Sequence, residues 1–296
     1  MADSVYDVAV DSAVLSQCLS VEVQNEIQVF TGRFSGGVDP QMRAVNRDSS
    51  KAIARTADLA TLLATVSLAN GLSIGGDGGL ILPWNGRQNG GTFEETAYTL
   101  SSTQAFAYIT EIMAQQNSEE GAVGLVDIIP TWDGSTLPFV SNSAQTLAAQ
   151  AFIAAYGLGP VKIGSTAIGQ VTGVSIKPGI ALLTPSYNGN VFIDACYINL
   201  RDPQVTITFE SQKAVHDFGA MFSALGSNLV VYLRKRAAGG TFVANGTAQH
   251  IALTLSGGLS TTPSISGQGS ENSEKQLTLY GHTLASSSSS AISPGS

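Results

Sequence analysis

Hydrophobic and polar positions alternate first over Ser20 to Phe30, SVEVQNEIQVF. Val21, Val23, Ile27 and Val29 follow a two-residue period that slips at Asn25. That pattern predicts a strand or a hairpin with an irregular turn. The period changes over Ser49 to Leu68, where Ile53, Ala57, Ala60, Leu63 and Ala64 have helical spacing. Ser49 or Ser50 is placed to cap that helix, although its end, TLLATVSL, also suits a strand. A second helix is expected over Ser102 to Gln116, with Phe106, Ile109, Ile112 and Met113 on compatible faces. AVGLVDII, ending at Ile129, reads as a strand, and Ala144 to Tyr156 as a third helix stopped by GLGP.

Beyond Gly159 the pattern favours strands. Val171, Val174 and Ile176 are spaced by glycine and polar groups, and Val205, Ile207 and Phe209 alternate cleanly. NLVVYLRKR, GTAQHIALTL and QLTLYGHTL continue the series, interrupted by an amphipathic helix expected over Gln212 to Leu225. The expectation is an α+β fold: mainly an antiparallel β-sandwich or partly closed β-barrel, with packed helices and long loops. Residues 1–157 form an N-terminal α+β region open to integration with the main sheet. Residues 158–284 form a predominantly β region with one helix, and the small-residue run 285–296 a flexible tail.

Composition narrows the class. Of 296 residues, 32 are glycine and only 12% are charged, about half the usual globular share. The apolar stretches are too short and too interrupted to span a bilayer, so no membrane partner is expected. A hydrophobic fraction of 43% argues against general disorder. The formal net charge of −8 and pI near 4.8 give no chain-wide basic footprint for nucleic acid. The densest basic run is Arg234, Lys235 and Arg236. It reads as a charged strand end entering a turn, or as an electrostatic contact with a partner or phosphate. Cys18 and Cys196 do not make a disulfide framework, though one bridge stays open. MADSVYDVAVDSAV has neither the basic start nor the apolar core of a signal peptide.

Catalytic chemistry finds little support. Gly71-Leu72-Ser73-Ile74-Gly75 matches the hydrolase elbow pattern, but the following glycines are poor helix material. Asp127 or Asp133 with His216 or His250 would have to complete that serine-hydrolase reading. His216, His250 and His282 fall in no metal-ligand spacing. The pairs Glu94-Glu95 and Glu119-Glu120 are neighbours whose side chains diverge, as solvated surface does. No cofactor motif is present. Asn245-Gly246-Thr247 is a sequon whose first expected use is a turn. Trp84 and Trp132 lie beside turn formers, where each either anchors a loop or serves an interface.

PQVTITFESQKAVHDFGAMF, NLVVYLRKR and HIALTLSGGLSTTPSISGQGSENSEKQLTLYG resemble tailed-bacteriophage virion proteins, especially tail tube and related tail-assembly proteins. The resemblance covers about 80 residues and implies a non-enzymatic structural protein. Such a subunit self-associates into a ring or tube, joins other phage structural proteins, and assembles in the host cytoplasm into the virion. A tube would conduct DNA through its lumen without holding it tightly. The first 157 residues depart from the smallest tail tube pattern, which keeps capsid, connector and other assembly roles open. A monomeric binding module is a further alternative. The candidate interface residues are Trp84, Arg87, Arg33, Arg234, Lys235 and Arg236. The candidate regions are residues 75–95, 201–211 and 256–275.

Overall fold

The computed structural model describes residues 8–24, 26–32, 42–75, 80–84, 97–145, 154–210, 227–237, 240–257, 260–266 and 274–292. These residues form β1 (Val8–Val10), β2 (Ala13–Leu15), β3 (Cys18–Gln24), β4 (Ile27–Gly32), β5 (Met42–Asp48) and β6 (Lys51–Thr56). Helix α1 (Leu59–Thr65) follows, then β7 (Leu72–Ile74), β8 (Leu80–Trp84), β9 (Ala97–Ser102), β10 (Ala105–Gln115), β11 (Val123–Pro130) and β12 (Val140–Gln145). Next come β13 (Tyr156–Ile163), β14 (Thr166–Ile168), β15 (Val171–Lys177), β16 (Ile180–Leu183), β17 (Tyr197–Arg201) and β18 (Gln204–Phe209). The last are β19 (Leu229–Lys235), β20 (His250–Ser256), β21 (Ser260–Ser266), β22 (Glu274–Tyr280) and β23 (Thr283–Ser290).

The α+β expectation with packed helices is overturned. Strands hold 61% of the described residues and helix 3%, in several antiparallel sheets, none of which closes into a barrel among those residues. The largest sheet has the order β21-β22-β18-β15-β10-β11-β6-β3, with β7 also paired to β10. It draws strands from both sides of residue 157. Two five-stranded sheets run β12-β9-β8-β1-β2 and β14-β13-β19-β20-β23, and two ribbons stand apart as β4-β5 and β16-β17.

Each helix correction has a local cause. Most of the Ser102 to Gln116 stretch, from Ala105 to Gln115, is strand β10, whose pairing with β11 shifts register between Ile109 and Glu111. A β-bulge moves the alternation by one residue. Ile109 and Ile112, three apart, therefore both face the core and imitate a helical period. In the Ser49–Leu68 stretch, β6 buries Ala52, Ala54 and Thr56 by strict alternation. Helix α1 starts only after Asp58, whose side chain accepts from the Thr61 N–H at 3.1 Å in place of a serine cap. Of the Ala144–Tyr156 stretch, Ala144 and Gln145 lie in β12 and Tyr156 begins β13, while residues 146–153 fall outside the described set. The GLGP stop lies inside β13, where the ladder to β19 shifts between Leu158 and Val161. The Gln212–Leu225 helix lies outside the described residues. Residues 285–290, expected in a flexible tail, belong to β23, and Ile292 beyond it is buried.

One hydrophobic core joins the sheets. Ile112, Ile176, Ile207 and Leu279 of the nine-stranded sheet share it with Leu229, Leu233, Ile251 and Leu255 of the β13-β19-β20 sheet. Leu59 and Leu62 of α1 enter the same core over Gly124 of β11. Burial of such side chains at about 1.5–3 kcal/mol each is the main force holding the layers together.

Candidate assembly surface

The ribbon β4-β5 carries apolar groups on both faces. Its register sets Val29 against Val45 and Phe30 against Ala44, so these pairs point to opposite sides. Val29 is 54% exposed and Phe30 53%, and Ile27, Met42 and Val45 are exposed as well. A two-stranded ribbon is marginal alone in water, and cross-strand apolar pairs supply only about 0.2–1 kcal/mol each. Nothing among the described residues covers either face.

The second ribbon has the same character. β16-β17 exposes Leu183, Tyr197 and Leu200, and the connection between the strands exposes Tyr187. Its root is fixed by the Asp202 N–H on Gly179 O at 3.0 Å and by Arg201 donating to Asn70 at 2.7 Å. The connection is ordered by Asp194, which accepts from the Tyr187 N–H and from the Asn190 amide.

The two ribbons are joined. Arg47 of β5 donates one terminal nitrogen to Thr184 O at 2.7 Å and to its hydroxyl at 2.8 Å. The Asp48 N–H donates to Val191 O at 2.7 Å, and Asp48 bridges Phe192 in parallel. Trp132 closes the group, its ring tilted against Phe192 with the centroids 6.5 Å apart and its backbone N–H donated to Ile193 O. That is the loop-anchoring role among the two expected for Trp132. Its loop is held by Asp133, which accepts from the Ser135 and Thr136 N–H groups and from the Thr103 hydroxyl. These donors hold the Asp133 carboxyl well below the usual carboxylate range.

The basic run divides. Arg234 and Arg236, two apart, project from one face of the β19 strand end. Phe242 returns beside them, paired to Arg236 by an isolated bridge. The guanidinium carbons lie 4.5 Å and 4.9 Å from the Phe242 ring centroid. Gly157 leaves room for that ring, since a Cβ there would approach it to 2.9 Å. Gly159 does the same for the Arg234 stem at 3.0 Å. Lys235 alternates to the other face, and its backbone N–H donates to Nδ1 of His250 at 3.1 Å. Cation–π contacts of this kind contribute about 0.5–1 kcal/mol when exposed.

The remaining candidates resolve individually. Trp84 ends β8 opposite Tyr98 of β9. Arg33 and Arg87 lie outside the described residues, as do His216 and much of 75–95. The 201–211 approach is no free edge, because β18 is paired on both sides by β15 and β22. Ser73 sits inside β7 opposite Phe106, without the strand-to-helix turn of a hydrolase elbow. His250 is fully buried; with Nδ1 accepting from Lys235, Nε2 is left to donate to Ala244 O at 3.1 Å. Asn245-Gly246 forms the expected turn. Cys18 and Cys196 are not bridged to each other.

Sequence reasoning missed one polar cluster. Asp127 of β11 pairs with Lys51 at 3.2 Å and accepts from the Tyr108 hydroxyl at 3.4 Å. Burial, then Asp127, raises the Tyr108 pKa above its ordinary value. Burial also pushes the nearby Cys196 thiol up to about 11, which makes it a poor nucleophile. The signal available was Asp127 within the apolar run AVGLVDII. Among the described residues no group of three or more His, Cys, Asp or Glu is placed to hold a metal. No helix among them is long and apolar enough to cross a membrane.

Compared with known proteins, the chain matches no family model, and no curated protein is significantly similar to it.

Proposed function

We propose that this chain is a structural subunit of a viral particle, a tail tube or related assembly protein that self-associates into a ring or tube. The observation that carries the assembly reading is the β4-β5 ribbon, apolar and exposed on both faces. A surface of that kind is a liability in a monomer and an asset in an oligomer, where a neighbour covers it. Strand edges add to this. Edge strand β3 carries Glu22 and edge strand β21 carries Pro263, both of which discourage pairing. Edge strand β23 reads TLASSSSS and has neither device. The viral assignment rests on the C-terminal resemblance, which also motivates the lumen for DNA and assembly in a host cytoplasm. The mechanism is conformational: subunits bury ribbons and complete strand edges, with no covalent step.

Electron microscopy of the purified protein across concentration and salt tests the reading. Rings or tubes of uniform width are the expected result. Protein that stays monomeric across the whole range, including with added preformed tail tips as initiator, would overturn it.

A further inference from the structure

Arg234 and Arg236 are arranged like half of a recognition site. Two cations held beside one aromatic ring repel each other, and a ring face offsets that only in part. The usual solution is a carboxylate. The chain has 22 Asp and Glu, and three of them, Asp127, Glu120 and Glu111, pair with Lys51, Arg55 and Lys177. Among the described residues neither Arg234 nor Arg236 meets an acid. Their Nε groups are buried without a hydrogen-bond partner. Arg234 has one long bond, from Nη2 to Val243 O at 3.4 Å. The pair is nevertheless rigidly built. The Arg236 N–H donates to Ala155 O, the Val243 N–H to Lys235 O, and the Ala237 N–H to Thr241 O. Gly157 and Gly159 provide the floor beneath Phe242 and Arg234.

We propose that Arg234 and Arg236, ordered on Phe242, form a clamp that receives an Asp or Glu carboxylate from a second copy of this chain. This rests on the assembly reading above. Guanidinium forks match a planar carboxylate through paired N–H donors. The second copy is the favoured source because the chain has 22 Asp and Glu against 14 Lys and Arg, so every copy brings carboxylates in excess of its own cations. The same copy offers exposed acids without an ion pair among the described residues, such as Glu26, Glu119 and Asp202. Pre-ordering both side chains on the ring lowers the entropy lost when the acid arrives.

The test compares wild type with Arg234→Gln/Arg236→Gln and Arg234→Lys/Arg236→Lys, first checking each fold by thermal unfolding. Sedimentation then gives the concentration needed for assembly at low and high salt. Wild type should need more protein as salt rises. The Gln pair should need at least about tenfold more at low salt and lose the salt dependence. The Lys pair keeps charge without the fork and should fall between, which preserves the test if the Gln pair misfolds. Wild-type assembly with both variants unchanged overturns the clamp and leaves the assembly reading standing. Wild type that never assembles overturns both. Unchanged assembly with loss of binding to a double-stranded DNA probe overturns the carboxylate assignment in favour of phosphate.

Discussion

A Cβ built on Gly124 would lie 2.6 Å from Cδ2 of Leu62 and 3.0 Å from Cδ2 of Leu59. Helix α1 therefore rests on bare backbone of β11. Gly124→Ala should overpack this seam and lower stability by about 1–3 kcal/mol, read from the urea midpoint at constant slope. Leu62→Ala should partly relieve that substitution, so the double variant should lose less than the sum of the two. Simple additivity would show that the helix does not bear on Gly124.

His250 joins the β19 strand end to the turn at Ala244 through both ring nitrogens. His250→Ala leaves the Lys235 N–H and the Ala244 carbonyl without partners and opens a cavity. A loss of about 2–5 kcal/mol is expected by chemical denaturation. His250→Phe should fill the space and still fail to restore wild-type stability, because neither backbone group regains a partner.

Cys196 provides a pH test. Its folded pKa, about 11, is raised above the unfolded value of 9.0. The sign follows from proton binding: the folded state holds the thiol proton more tightly. Its stabilisation is full below pH 9 and lost as pH rises through about 11. Cys196→Ala should therefore flatten part of the alkaline fall in stability. At pH 8 about one folded thiol in a thousand is ionised, so iodoacetamide should label Cys196 about 100-fold more slowly in the fold than in urea.

The exposed ribbon separates folding from assembly. Phe30→Ser with Val45→Ser changes side chains that touch little within the subunit. The melting temperature should move by no more than a few degrees, as surface substitutions do, at about 0.5 kcal/mol each. Rings or tubes should be absent from micrographs of the same sample. A variant that assembles normally would remove the ribbon from the interface.

Ile292 is buried to 1% exposure, with its N–H donating to Asn245 O at 2.7 Å. Ile292→Ala should cost about 2–5 kcal/mol by denaturant unfolding. Wild-type stability would return residues 291–292 to the status of a loose tail.

The C-terminal strands were legible because their alternation is unbroken. Val205, Ile207 and Phe209 all face the core, and so do Leu229, Val231 and Leu233. β10 was not legible, because its bulge places Ile109 and Ile112 on the same side and alternation alone cannot register the slip. The Ser-rich β23 carried no pattern at all. Its place is set by backbone bonding to β20 and by Leu284 and Ile292 at either end. At the candidate surface, Arg234 and Arg236 were visible as a basic run. Phe242 was not linked to them, since the turn that returns it has no periodicity. The exposure of Phe30 and Val45 was equally hidden: apolar alternation on a ribbon reads the same whether or not a core lies beneath it.

Strand β23 closes the β20 edge and also packs against α1, so late-made residues complete a core begun at Leu59. The nine-stranded sheet behaves likewise, pairing Val205 with Leu279. Folding of this kind runs against the direction of synthesis. Until Thr283–Ser290 is clear of the ribosome, β20 presents an open apolar edge, and the long loops that must close make the search slow. A nascent chain in that condition is exposed to aggregation along β20 until β23 has been made. Expression yield should therefore depend more on chaperone supply and translation pace than on the stability of the finished fold.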